Sequence, residues 1–134
     1  MSATLAEFRE ALAGALEDHL PGFNVYPLPP DNVEVPAAMV AGFQIDTGTF
    51  GDTTVRVAAD VELMVSRRNV YQVELLDDLL SPSGDRSLWV KFNEEPTLGD
   101  VVAFCTVQSA GDYRELIIGD VGYYAATVSL TVML

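Results

Sequence analysis

The sequence predicts an α+β fold, in which a mixed, mostly antiparallel sheet of about five to six strands packs against two to three helices. Three observations predict it. Residues from about Thr53 to Arg67 alternate apolar and polar side chains with period two, the mark of a strand with one wet face. Two apolar stripes, Leu5-Phe8-Leu12-Leu16-Leu20 and Val70-Val73-Leu76-Leu80, recur at three- and four-residue steps and mark amphipathic helices. The helical segments cluster in two places instead of alternating with strands, which favours an antiparallel sheet over a doubly wound parallel one.

The elements follow in chain order. Thr4-Leu5-Ala6-Glu7 is a capping box, whose hydroxyl and carboxylate each satisfy a free backbone N–H at a helix start, and Pro21-Gly22 ends that helix. Asn24-Val25-Tyr26 suits a short strand. Pro27, Pro29, Pro30 and Pro36 then fix an extended, polar connection around Asp31 to Glu34. From Ala37 the β character returns, with Met39, Ala41, Phe43 and Ile45 expected on one face, and Asp46 to Asp52 forms a turn-rich loop. The long alternating strand comes next, with Val55, Val57, Ala59, Val61, Leu63 and Val65 on its apolar side. Asn69, with Gln72 three residues on, caps a second helix that Ser81-Pro82-Ser83-Gly84 breaks. Asp85 is expected to cap a third helix reaching about Asn93, burying Leu88, Trp89 and Phe92. Three strands finish the chain: Val101 to Gln108, Tyr113 to Ile118, and Tyr123 to Leu134.

The chain has 134 residues, 49% of them apolar and 20% charged, so residues 1–134 are expected to form one domain with a core of its own. Cys105 is the only cysteine, which excludes an intrachain disulfide and a cysteine-rich zinc site. Twenty Asp and Glu against seven Lys and Arg give a formal net charge of −13. Tight nucleic-acid binding by phosphate neutralisation is disfavoured, as is attraction to an anionic membrane. No apolar run approaches the ~20 residues of a membrane span, and the Met-Ser-Ala-Thr start lacks a signal peptide's basic and apolar stretches. The protein is expected to stay where it is made.

Catalytic chemistry is expected to be absent. His19 is the only histidine, at the end of the first helix, where its charge would suit the macrodipole. Cys105 sits in an apolar run with no flanking cation, as an inert buried thiol does. There is no Gly-x-Ser-x-Gly elbow and no Gly-Lys-Ser/Thr phosphate loop. Asp77/Asp78, Glu94/Glu95 and Asp46/Asp52 read as solvated acids. Successive helical residues do not face each other, and Val57 occupies the twelfth position where a calcium loop starting at Asp46 needs Glu. Neither a cofactor nor a metal site is expected.

Several short stretches, in this order of elements, carry a resemblance. They are Pro21-Gly22-Phe23-Asn24-Val25-Tyr26, the proline run to Pro36, Thr49-Phe50-Gly51, Leu75-Leu76-Asp77-Asp78-Leu79-Leu80, Thr97-Leu98-Gly99 and Tyr123-Tyr124-Ala125-Ala126. Together they span nearly the whole chain, which resembles the tail terminator proteins of long-tailed bacteriophages, a group similar in fold to the minor tail protein U of lambda. The resemblance implies a structural virion protein that forms a ring, usually six-fold, without catalysis. The ring caps the tail tube at its full length and offers a joining surface to the head's neck proteins at the head–tail junction, after assembly in the host cytoplasm. Its partners would be further copies of the chain, the tail tube protein and a head-completion protein. DNA would pass through the bore unbound, and acidic walls would repel its phosphates. A neck stopper or head-completion connector shares the same size, acidity and pattern, and a small-ligand-binding α+β domain is the alternative from another class.

Contact residues in such a ring are expected on rigid or apolar loops. Phe50 between Thr49 and Gly51 is a candidate anchor, since an aromatic on a glycine-flanked tip buries much area at low entropic cost. Core capping is the equal alternative for that Phe. Pro29, Pro30 and the segment from Asp31 to Glu34 form a second candidate contact or a stiff surface link. Arg67 and Arg68, the only adjacent basic pair, read as a solvated strand end or as partners in a salt bridge between subunits.

Overall fold

The computed structural model describes residues 4–28, 30–47, 55–118 and 120–133. Its elements are α1 (Leu5–His19), β1 (Asn24–Tyr26), β2 (Ala37–Thr47), β3 (Val55–Ser66), α2 (Val70–Leu80), α3 (Leu88–Glu94), β4 (Phe104–Ile118) and β5 (Val121–Met133). They build the α+β fold expected from the sequence: a five-stranded sheet in the order β1-β2-β3-β5-β4, with only the β1–β2 pair parallel, and the three helices against it.

The capping box of α1 is present in full: the Glu7 N–H donates to Thr4 Oγ1 at 3.1 Å, and the Glu7 carboxylate accepts from the Thr4 N–H. The stripe behind it does what its spacing requires. Phe8, Leu12, Leu16 and Leu20 are buried, and they share one core with Val57, Ala59, Val61, Leu63 and Val65 of β3. Ala126, Val128, Leu130 and Val132 of β5 lie directly opposite those β3 residues in register and join the same core. Burying apolar side chains on facing stripes is the main term holding helix and sheet together.

Four details differ from the sequence expectation. A bulge between Val40 and Gly42 shifts the register of β2, so Ala38 and Val40 enter the main core and Phe43 packs against it, whereas Met39 turns to the other face. The two expected strands after residue 100 are one continuous β4, whose bulges at Val107/Ser109 and Gly111/Arg114 absorb the break in alternation. Residues 101–103 are turn and bend. The third helix starts later than Asp85 suggests: Ser87 is its N-cap, and Asp85 lies exposed in the preceding turn. Val70, expected on the buried stripe of α2, is 65% exposed, and Leu76, Leu79 and Leu80 carry the contact.

The sheet's other face is mostly polar. Asp60 accepts a hydrogen bond from Ser129 Oγ at 2.8 Å, Gln108 accepts one from Thr131, and Arg114 bridges Glu62 and Asp112. Ala37, Met39, Met64 and Ala125 form a small buried apolar spot on that face. The β4 strand is an outer edge of the sheet, where its two bulges interrupt the row of free backbone groups that would otherwise template unwanted pairing.

Candidate functional site

Of the residues singled out in the sequence, Thr49, Phe50, Gly51 and Pro29 lie outside the described residues. Pro30 and Asp31 are on the surface between β1 and β2, with Asp31 exposed. The same connection is tied down by its neighbours: Asn24 Nδ2 donates to the Glu34 carbonyl at 2.9 Å, the Glu34 N–H donates to Tyr26 Oη at 3.2 Å, and Arg9 donates to the Pro27 carbonyl at 2.7 Å. The Arg9 guanidinium also lies over the Phe43 ring, 4.5 Å from its centroid.

Arg67 and Arg68 occupy the turn between β3 and α2, and the structure brings them to the tip of the β4–β5 hairpin. The Arg67 N–H donates to the Gly122 carbonyl, and its guanidinium meets Glu115 of β4 at 3.2 Å. Both partners are more than half exposed, so this pair contributes well under ~1 kcal/mol. A shallow concavity there is lined by Arg67, Arg68, Ile117, Asp120 and Gly122.

Around it stand the side chains that sequence analysis missed. Tyr71 is 84% exposed, Ile117 72% and Val70 65%, whereas Val121, paired with Ile118, faces the other side of the hairpin from Ile117. Single exposed apolar residues are ordinary; here Val70 and Tyr71 come just after the two arginines in the chain, and Ile117 lines the same concavity as those arginines. One sequence signal pointed here: Val70-Tyr71 comes one residue after Arg67-Arg68, just past the Asn69 cap, at the start of a helix where apolar residues have no turn above them to cover. The corner carries Arg67 and Arg68 against Glu115 and Asp120, so it is locally charge-balanced in a chain of net charge −13.

His19 departs from its expected role as a charged helix end. It is half-buried, edge-on to Phe92 with centroids 5.2 Å apart, and its Nε2 is buried with no hydrogen-bond partner among the described residues. Burial, reinforced by the Lys91 ammonium, holds its pKa below the ordinary 6.5 against opposing pulls from Glu95, Asp18 and Glu94. The fold thus favours the neutral ring. His19 lines a cavity of about 310 Å³ with Leu20, Phe23, Leu75, Leu79, Arg86 and Lys91.

A depressed histidine pKa makes stability depend on pH in one direction. The contribution is fully present above the unfolded value of 6.5 and is lost as pH falls below it toward the folded value. Taking pH from about 7.5 to about 5.5 is expected to lower the urea midpoint of the natural protein more than that of His19→Gln. Equal losses in the two proteins would contradict the assignment.

Cys105 is fully buried, and burial pushes its thiol up to about 12, so it carries no thiolate at neutral pH. Tyr113 donates to Asp77 Oδ1 at 2.7 Å, tying β4 to α2, and burial with that bond raises its pKa. Among the described residues no group of three or more His, Cys, Asp or Glu is placed to hold a metal ion, and no helix is long and apolar enough to cross a membrane. A scan against protein-family models and a search of curated proteins each find no match.

Proposed function

We propose that the protein is a structural virion component, a tail terminator: a homo-oligomeric ring, hexameric by resemblance, that caps the tail tube, stops its growth and gives the head's neck proteins a surface to join. The observation that carries this reading is the exposed apolar side chains of Val70, Tyr71 and Ile117 beside Arg67 and Arg68. Such a corner has no use inside one subunit and suits a contact between chains. The sequence resemblance to tail terminators, spread over nearly the whole chain, supplies the class of assembly. The task needs no catalytic group and no cofactor. Its partners are further copies of the chain, the tail tube protein and a head-completion protein, and DNA crosses an acidic bore without being held.

Tails assembled without this protein test the function. With the terminator absent, tubes are expected to lose their uniform length and to remain unattached to heads, and adding the purified chain is expected to restore both. Tails of normal length that attach to heads in its absence would overturn the proposal. Tubes of normal length that fail to attach would move the protein to the neck stopper's position.

A further inference from the structure

We infer that the cavity between α1, α2 and α3 binds a small carboxylate with an apolar body, whose tail lies on Leu20, Phe23, Leu75 and Leu79 and whose charge is held by Arg86 and Lys91. The site is independent of the ring reading, and either can fail alone.

The lining divides by polarity. Leu20 and Leu79 are buried, and Phe23 and Leu75 are half-buried walls of the same cavity of about 310 Å³. This is the size of a small ligand pocket, which is mostly apolar with a few polar groups that fix orientation. None of the lining residues comes from a strand. His19 and Leu20 close α1, Leu75 and Leu79 belong to α2, Lys91 belongs to α3, and Arg86 stands in the turn before it. Crevices between packed helices are a common place for such pockets.

Charge then selects the ligand. The chain has twenty Asp and Glu against seven Lys and Arg, yet two of the seven line this cavity and none of the twenty does. Arg67 and Arg114 are each paired with carboxylates, whereas among the described residues neither Arg86 nor Lys91 is in an ion pair. Asp78 and Asp85 line the neighbouring concavity that Arg86 also borders, without pairing with it. Asp18, Glu94 and Glu95 pull on His19 from outside the cavity lining. Burial first, and Lys91 second, hold the His19 ring neutral, so that wall adds no charge. The partial negative charge at the end of α1 is about half a unit against two full cations.

A bare anion gains little from cations at a wet rim, where solvent and salt screen them. A neutral apolar molecule leaves both cations unused. A carboxylate on an apolar tail uses both halves of the lining, with a planar fork from Arg86 and a point charge from Lys91. The net charge of −13 disfavours a doubly charged head such as a phosphate.

Titration of the full chain with sodium hexanoate at low salt, followed by NMR of the His19 ring, tests the site. His19 is the only histidine, so its ring signals report on this cavity. A saturable shift is expected, with a Kd of about 1 mM. Acetate, which has the charge without the tail, and hexanol, which has the tail without the charge, are each expected to bind at least tenfold more weakly. R86Q/K91Q is expected to weaken hexanoate binding at least tenfold, with melting temperature and hexanol binding unchanged. Absence of a saturable shift with hexanoate overturns the proposal. Acetate binding as tightly as hexanoate would make the site a plain anion patch, and hexanol binding as tightly would make it an apolar crevice; either result overturns it. So does hexanoate binding by R86Q/K91Q that equals that of the natural protein. The three ligands are compared on the natural protein, so they decide the matter even if the double variant fails to fold. Tail length tests the ring separately.

Discussion

Phe92→Ala is expected to lower the free energy of unfolding by about 3–5 kcal/mol, the usual range for removing a fully buried phenylalanine. Phe92 is 0% exposed and meets the edge of His19, so it clamps α3 to the end of α1. The aromatic pair itself accounts for only about 0.5–1.5 kcal/mol. Lost burial and the cavity left behind make up the larger part. The helix it anchors has seven residues, too few to persist in water without tertiary contacts, so loosening of α3 should accompany the loss. Against a typical domain stability of about 5–15 kcal/mol this is a large fraction. Urea denaturation measures it. A loss below about 1.5 kcal/mol would show that the site collapses to fill the space.

Ser87→Ala is expected to lower stability by about 2 kcal/mol, more than a surface serine can account for. Ser87 is the one polar residue among the fully buried side chains of the described structure, and both functions of its hydroxyl are in use. Oγ donates to the Ser81 carbonyl at 2.5 Å and accepts from the Val90 N–H at 3.4 Å as the cap of α3. Loss of the cap contributes roughly 1 kcal/mol, and a carbonyl left without its donor in a dry setting contributes a similar amount. The same substitution at Ser83, exposed in the preceding loop, should stay within about 0.5 kcal/mol. Equal effects at the two positions would contradict the role given to Ser87.

Those two residues also show where the sequence was legible. The α1 stripe and the β3 alternation were readable because one residue in two, or one in three to four, had to face the core, and a one-step slip would reverse every side chain. The β4 strand was not readable as one piece, because its bulges around Ser109 and Gly111 break the alternation without ending the hydrogen-bonded ladder. Asp85 reads as the cap of α3 because Asp is a strong N-cap, yet a carboxylate in the dry position of Ser87 would be costly. Gln72 signalled a capping box with Asn69, but its side-chain oxygen instead accepts from the Ser66 N–H at 2.9 Å, linking α2 back to β3.

The candidate surface was legible only in part. Arg67 and Arg68 stood out because two adjacent cations are conspicuous in an acidic chain. Ile117 did not, since alternation within a strand says which side a residue takes and not whether anything covers that side. Spacing puts Val70 on the core stripe, but it sits in the first turn of α2, where the helix has not yet reached the sheet's cover.

Labelling of intact virions with an antibody against this chain tests the central claim most directly. Electron microscopy is expected to show label confined to the junction between head and tail, in one narrow band at the upper end of the tube. Label along the tube, at the distal tip, or absent from the particle would contradict it.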